Sequence, residues 1–245
     1  MEEITEAFGL GEPVEEPQPL AEAWSNEVYR VRTGTGCYAL KILSPATVAS
    51  VGHAIGIEAA VLATGAVPMA EPIADRNGEW LTRLSDGRFA RCHRWLSGTP
   101  ASGFTPTASY VRDVGRSLGV IHGLARPDGD TGRLSPVDLR RWRRALERSA
   151  GQKWNARLRA LTRLVEQATE ELSKLRDARH PMISSHRDLD PKNAVVDADG
   201  RVGLLDWDYA GAVVPAGELV EAATSFCGGH SALVAEFVRA YRAAG

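Results

Sequence analysis

The chain has 245 residues, 44% of them hydrophobic, and a formal charge of −2, so it can close one large domain or two small lobes and has no general pull toward nucleic acid or an anionic membrane. A small molecule is the expected partner. Three cysteines, Cys37, Cys92 and Cys227, are too few and scattered for a disulfide framework or a zinc site, and they read as small buried residues in a reducing compartment.

The opening MEEITEAFGLGEPVEEP is acidic and lacks the apolar core of a leader, and no later stretch approaches the roughly 18 apolar residues of a membrane helix, which makes the cytoplasm the expected location. NEVYRVRTG then places Val28 and Val31 among alternating residues, Thr33 to Gly36 is turn chemistry, and CYALKIL resumes an apolar run. Together these predict a β-hairpin. From His53 to Thr64 the spacing of Ile57, Val61 and Leu62 is helical and stops near Gly65, which puts Glu58 on a helix. EPIADRNGEWLTRLSDGRFARCHRWLSG gives short strands broken at Asn77-Gly78 and Asp86-Gly87, both hairpin turns.

From Thr107 the pattern becomes helical, with Val111, Val114, Leu118, Val120 and Ile121 on one stretch. Two further helices are predicted in SPVDLRRWRRALERSA, capped by Ser135 with Pro136 in the first turn, and in WNARLRALTRLVEQATEELSKLRDA. Only NAVVDADGRVGLLDW reads as sheet in this half, a hairpin around Asp199-Gly200. The expectation is an α+β chain: a β-rich N-terminal lobe over 1–96, a crossing near Trp95 to Ser102, and a helix-rich lobe over 97–245.

The chemistry concentrates in SSHRDLDPKNAVVDADGRVGLLDWD. Taken singly, each aspartate there reads as ordinary turn or capping work. Phosphoryl transfer from ATP to a hydroxyl needs a carboxylate near the acceptor oxygen, oxygen ligands for magnesium and a cation on the phosphates. A loop carrying Asp188 and then Asn193 could aim the first at an acceptor and the second at metal. The hairpin that follows returns Asp206 beside Asn193. His186-Arg187-Asp188-Leu189, then Asn193, then two apolar strands ending in Asp206, follow the H-R-D-L-x-x-x-N order with its later metal aspartate.

On these motifs the chain resembles the kinase-like small-molecule phosphotransferases, the aminoglycoside phosphotransferase and choline kinase group above all. SNEVYRV, YALKIL, IEAAVL, LGVIHGL, HRDLDPKN and LLDWDYAG occur in the order of that group across most of the chain. The resemblance implies a bilobal protein-kinase-like fold, with nucleotide bound by the N-terminal lobe and acceptor by the C-terminal one. It implies ATP as donor, with GTP as the alternative nucleotide, and Mg2+. It makes Asp188 the base, Asn193 and Asp206 the metal ligands, Lys41 the phosphate-binding lysine and Glu58 its orienting partner. The phosphate-covering loop would be EAWSNEVYRV, with Ser25 and Asn26 as donors, and adenine would sit near His93 to Leu96. His186 would hold the loop rather than act as base.

That loop lacks G-x-G-x-x-G, Asp206-Trp207-Asp208 stands where protein kinases have D-F-G, and no A-P-E follows, which argues against a protein kinase. A catalytically silent nucleotide-binding regulator and an aspartate-based metal hydrolase are the other readings. The family's acceptors include aminoglycosides, macrolides, choline and sugars, and resistance and metabolic roles both fit. Asp190, Asp208, Glu218 and Glu221 could line an acidic cleft for an aminoglycoside, although Asp190 also reads as a turn or cap and Asp208 as a group behind the metal. The arginines of LRRWRRALERSAGQKWNARLRALTR favour a neutral or anionic acceptor if they face the cleft, and a solvated face if they do not. Trp142 and Trp154 read as packing or as a stacking surface. The family often carries further C-terminal helix after the equivalent of LVAEFVRAYRAAG, so a reduced acceptor pocket or a trimmed chain is expected.

Overall fold

The computed structural model describes residues 1–20, 26–124, 127–132, 138–174 and 180–245, the side chains of 127–132 and 174 excepted. After a short helix α1 (Glu2–Ala7) and strand β1 (Gln18–Pro19), the expected hairpin forms from β2 (Glu27–Thr33) and β3 (Gly36–Leu43). Helix α2 (Pro45–Leu62) follows, then β4 (Pro72–Ile73), β5 (Thr82–Arg83) and β6 (Phe89–Arg94). The sheet runs β1-β2-β3-β6-β4, with β5 also pairing β6. Alternation along β3 and β6 turns Leu40, Ala90 and Cys92 into a core with Val31, Ile4 and Phe8. Lys41 leaves by the opposite route from Leu40.

Local chemistry explains the departures from the sequence reading. Helix α2 begins at Pro45, well before His53, because Ser44 caps it by accepting from the Thr47 N–H (3.3 Å) and Pro45 suits the first turn. The weak helix formers of ATVASVG hide this start. By length and composition α2 could cross a bilayer, being 18 residues of mean hydropathy 1.3. One face of it packs into the core, with Val51, Ala54, Ile57 and Val61 buried and the Glu58 carboxylate bonded to Arg91 and His93. Asp86-Gly87 does join the paired strands β5 and β6. Asn77-Gly78 makes a turn without a hairpin, since β4 pairs with β6.

The second half holds α3 (Ala108–Leu124), α4 (Leu139–Arg148), α5 (Asn155–Lys174), α6 (Pro215–Cys227) and α7 (Ser231–Ala244). Ser135 and Pro136 lie outside the described residues; Asp138 caps α4 by accepting from the Arg140 and Arg141 N–H groups. The expected hairpin is β10 (Ala194–Val196) with β11 (Val202–Leu204), and it is not alone. Strand β7 (Thr99–Pro100) extends it, while β8 (Pro127–Gly132), β9 (His180–Ser185) and β12 (Gly211–Val213) form a separate sheet. Strand β9 escapes a hydrophobicity scan because its alternate buried positions are Ile183 and Ser185, so it carries no apolar period. The second core joins α2 to this half through Ile57, Val61, Met69, Val114, Leu118, Leu204, Trp207 and Phe226. Cys92 and Cys227 are buried, whereas Cys37 is half-buried with Sγ accepting from Arg30 Nε (3.4 Å).

Candidate active site

Strand β9 delivers the loop that carries Asp188. Buried His186 meets the Leu205 carbonyl through Nε2 (2.9 Å). Burial depresses its pKa, outweighing the Leu205 carbonyl and nearby carboxylates, so it serves as a neutral hydrogen-bond donor tying the loop to the hairpin. Arg187 adopts a left-handed backbone at φ 67°, and its N–H donates to Glu218 Oε1 (2.6 Å). Asp188 follows, part-exposed. Its Oδ2 and its carbonyl both accept from Asn193 Nδ2, at 2.8 and 2.9 Å, and Lys192 Nζ lies 3.1 Å from Oδ1. Asp190 is a cap, accepting from the Lys192 N–H at 3.0 Å ahead of the short turn Pro191–Asn193.

The hairpin then closes the site. Register pairs Ala194 with Leu204, and the Leu205 N–H donates to the Asn193 carbonyl (2.8 Å), so Asp206 arrives next to Asn193. Asp206 is left-handed too, at φ 60°, and its Oδ1 accepts from Lys41 Nζ at 2.6 Å. Two such residues in one site, Arg187 and Asp206, are local strain held by surrounding bonds.

Lys41 does not pair with Glu58. Its ammonium lies between Asp206 and Asp208 Oδ2, the latter at 2.9 Å. Burial opposes its charge, but Asp208 and Asp206 override that and raise its pKa above the ordinary lysine value. Glu58 is buried on α2 as expected, yet its carboxylate bonds to Arg91 Nη2 and to His93 Nε2 (3.0 Å). Arg91 intervenes because β3 and β6 set it directly opposite Lys41. Asp208, left open by the sequence, is fully buried between Lys41 and Arg91 Nη1 (2.6 Å) and faces no open cleft. Burial works against its ionisation, and these two cations hold its pKa below the usual carboxylate range.

Ser25 lies outside the described residues. The Asn26 side chain is not a free phosphate donor: Nδ2 donates to Asp208 Oδ2 (3.3 Å) while Oδ1 accepts from the Ser44 N–H (3.0 Å) and Thr47 Oγ1 (2.9 Å). It braces the start of α2 against the site. Arg91 was missed by sequence reasoning and His93 was read only as an edge of the adenine site; the available signal was period two, since in FARCHR this polar pair alternates with Ala90 and Cys92 as an inward-facing polar row on a buried strand.

Glu218 is buried against Arg187 and His122 and lines no acidic cleft. The α4 residues Arg140, Arg141, Arg143, Arg144 and Arg148 are all exposed. Trp142 donates to Thr162 Oγ1 (3.3 Å), packing α4 on α5, and Trp154 is 51% exposed. A cavity of about 290 Å³ between α2 and α3, lined by His53, Ile57 and Ile121 among others, includes none of the site residues.

The donor set suits a hard cation. With Asn193 Nδ2 bonded to Asp188, its Oδ1 remains for a ligand, and the part-exposed Asp206 carboxylate stands beside it. Among the described residues no group of three or more His, Cys, Asp or Glu side chains can hold a metal alone. A cation here would share phosphate oxygens, as magnesium does with nucleotides.

A family model described as the phosphotransferase enzyme family matches residues 16–245. No curated protein matches the chain. Among solved structures it is similar to a spectinomycin phosphotransferase with ADP and spectinomycin (TM-score 0.67, 15% identity, 92% of this chain and 74% of that one). It is similar to a microcompartment-associated aminopropanol kinase (0.62, 18%, 99% and 80%) and to a choline kinase of Streptococcus pneumoniae (0.59, 17%, 97% and 78%). At these identities the likeness establishes the fold, a kinase-like α+β arrangement with a sheet-rich N-terminal region and a helical C-terminal region.

Proposed function

The chain belongs to the phosphotransferase enzyme family, and from that premise we propose that it moves the γ-phosphate of ATP to a hydroxyl of a small molecule, with magnesium. One observation carries the reading: two bonded pairs, Asp188 with Asn193 at 2.8 Å and Asp206 with Lys41 at 2.6 Å, are brought together by the backbone bond from the Leu205 N–H to the Asn193 carbonyl. Phosphoryl transfer needs little covalent help from a protein, so alignment and charge supply most of the rate. Asp188 orients the acceptor hydroxyl and takes its proton through Oδ1 or Oδ2. Lys41 releases Asp206 to bind phosphate oxygens and keeps its bond to Asp208. Asn193 Oδ1 and Asp206 would hold magnesium, which when bound neutralises phosphate charge. The lobes would divide the work, 1–96 binding nucleotide and 97–245 the acceptor, in the cytoplasm where ATP is abundant.

For the acceptor, a small polyhydroxy compound is the proposal, with aminoglycosides as one class. Two of the four acids considered for a polycation cleft, Asp208 and Glu218, are buried, and Asp190 is a cap, which supports a weakly charged alcohol over an obligatory polycation. The test is ATP consumption with magnesium against aminoglycosides, macrolides, choline and sugars, with mass detection of added phosphate and Asp188→Ala as control. Product that disappears in the variant supports the reading. ATP binding without any product across the panel favours the silent regulator.

A further inference from the structure

Strand register places Lys41 and Arg91 opposite each other, so two buried cations leave one face of the sheet side by side. Such neighbours repel, and the arrangement stands only with carboxylates between them. Asp208 is that carboxylate, with Oδ2 at 2.9 Å from Lys41 Nζ and Oδ1 at 2.6 Å from Arg91 Nη1. The far side of the Arg91 guanidinium bonds Glu58, whose second oxygen meets His93 Nε2 at 3.0 Å. Glu58, Arg91 and Asp208 are all 0% exposed.

We propose that Arg91 is a positioning residue for phosphoryl transfer: it carries the orienting action of Glu58 to Lys41 through Asp208, in place of a direct Lys41–Glu58 contact. The proposal rests on the reading of Lys41 as the phosphate-binding cation. A guanidinium suits the task because its rigid planar fork holds Asp208 at Nη1 and Glu58 at Nη2 in a fixed relative geometry, which a freely rotating ammonium does not impose. Charge supports the division of labour. Lys41 and Arg91 face three carboxylates, Asp206, Asp208 and Glu58, and only Asp206 is part-exposed, at 33% of its side chain. Lys41 can therefore exchange Asp206 for phosphate while Asp208, pinned by Arg91, keeps the ammonium in place.

Arg91→Lys and Glu58→Gln, each in the full chain, test the proposal by calorimetric binding of a non-hydrolysable ATP analogue and of adenosine, with melting temperatures alongside. The expected result is about tenfold or greater loss of affinity for the analogue in both variants, little change for adenosine, and a double variant no weaker than the worse single one, since both act in one chain of contacts. Glu58→Gln keeps the size and one acceptor oxygen for Arg91 while removing the charge, so it remains informative if Arg91→Lys does not fold. Lower melting temperature with wild-type affinity for the analogue would overturn the proposal and leave the phosphotransfer reading intact. Equal weakening for adenosine would overturn it too, as general collapse of the cleft. A wild-type protein that binds no nucleotide would overturn the phosphotransfer reading itself, and the proposal with it.

Discussion

Glu218, in the first turn of α6, accepts a hydrogen bond from the backbone N–H of Arg187 at 2.6 Å, so a helix that follows the site fixes the left-handed residue immediately before Asp188. Its other oxygen meets His122 Nε2 at 2.8 Å, and His122 Nδ1 meets the Tyr241 hydroxyl at 3.0 Å, which links the loop to α3 and α7. Glu218→Ala removes a buried acceptor and leaves the Arg187 N–H unpaired, a cost of about 1–3 kcal/mol. The expected outcome is a lower melting temperature and a kcat reduced about tenfold, with KM for ATP little changed because Lys41 and Asp206 are untouched. Steady-state kinetics check this, and an unaltered kcat in a folded variant would contradict it.

Asp188→Asn keeps the shape of the side chain and its capacity to accept from Asn193 Nδ2, but supplies no proton-accepting carboxylate. Turnover should fall by about 10²–10⁴, the range for a lost general base, while nucleotide affinity stays within about twofold of wild type. Single-turnover rates and calorimetry separate the two effects. Retained turnover would remove Asp188 from the base role.

Asp206→Asn is expected to raise the magnesium concentration needed for half-maximal activity about tenfold or more, because a neutral amide replaces the one part-exposed carboxylate of the charged cluster. Titrating magnesium at saturating ATP reads this directly. An unchanged magnesium dependence with altered ATP affinity would assign Asp206 to holding Lys41 alone.

The order of motifs around Asp188 was legible because loop, turn and hairpin are local: Asp199-Gly200 fixes the register that returns Asp206 to Asn193. Long-range pairing was less accessible. Lys41 and Glu58 both sit where the sequence placed them, yet a third residue, Arg91, separates them, and its position depends on which strand lies beside β3. Asp208 read either as lining an acidic cleft or as a group behind the metal, and only the packing of α2 on the turn Trp207–Tyr209 reveals it as fully buried. Strands β9 and β12 were lost for a different reason, since small residues such as Ser185, Gly211 and Ala212 leave no alternation to detect.

Stability should fall as pH drops from 7 to 4. Burial opposes charge on Glu58 and Glu218, but their hydrogen-bonded partners, His93 and Arg91 for one and His122 for the other, lower both folded-state pKa values. A depressed carboxylate contributes stability above its unfolded value of about 4.3 and loses it as pH falls through the folded one. His93 acts in the same direction: burial lowers its pKa more than Glu58 raises it, so the unfolded chain takes up a proton near pH 6.5 that the folded one resists. Melting temperature measured across this range should decline first below about pH 6.5 and more steeply below about 4.5. A flat profile would mean these groups are not held as described.

Gly115 and Gly119 test how α3 meets α7. A Cβ at Gly115 would press on the Phe237 carbonyl oxygen, and one at Gly119 on that of Tyr241, so each glycine lets the two helices approach backbone to backbone. Alanine normally gains about 1 kcal/mol over glycine inside a helix. Here the obstacle is main chain that cannot rotate away, and overpacking of this kind costs about 1–3 kcal/mol. Gly115→Ala and Gly119→Ala are therefore expected to lower the melting temperature by about 2–4 °C per kcal/mol of net loss. Gly52, in α2, supplies the control, since a Cβ there meets nothing within 4 Å. Gly52→Ala should leave the melting temperature unchanged or raise it. The opposite signs distinguish helix contact from helix propensity, and stabilisation at Gly115 or Gly119 would mean the two helices stand further apart in solution.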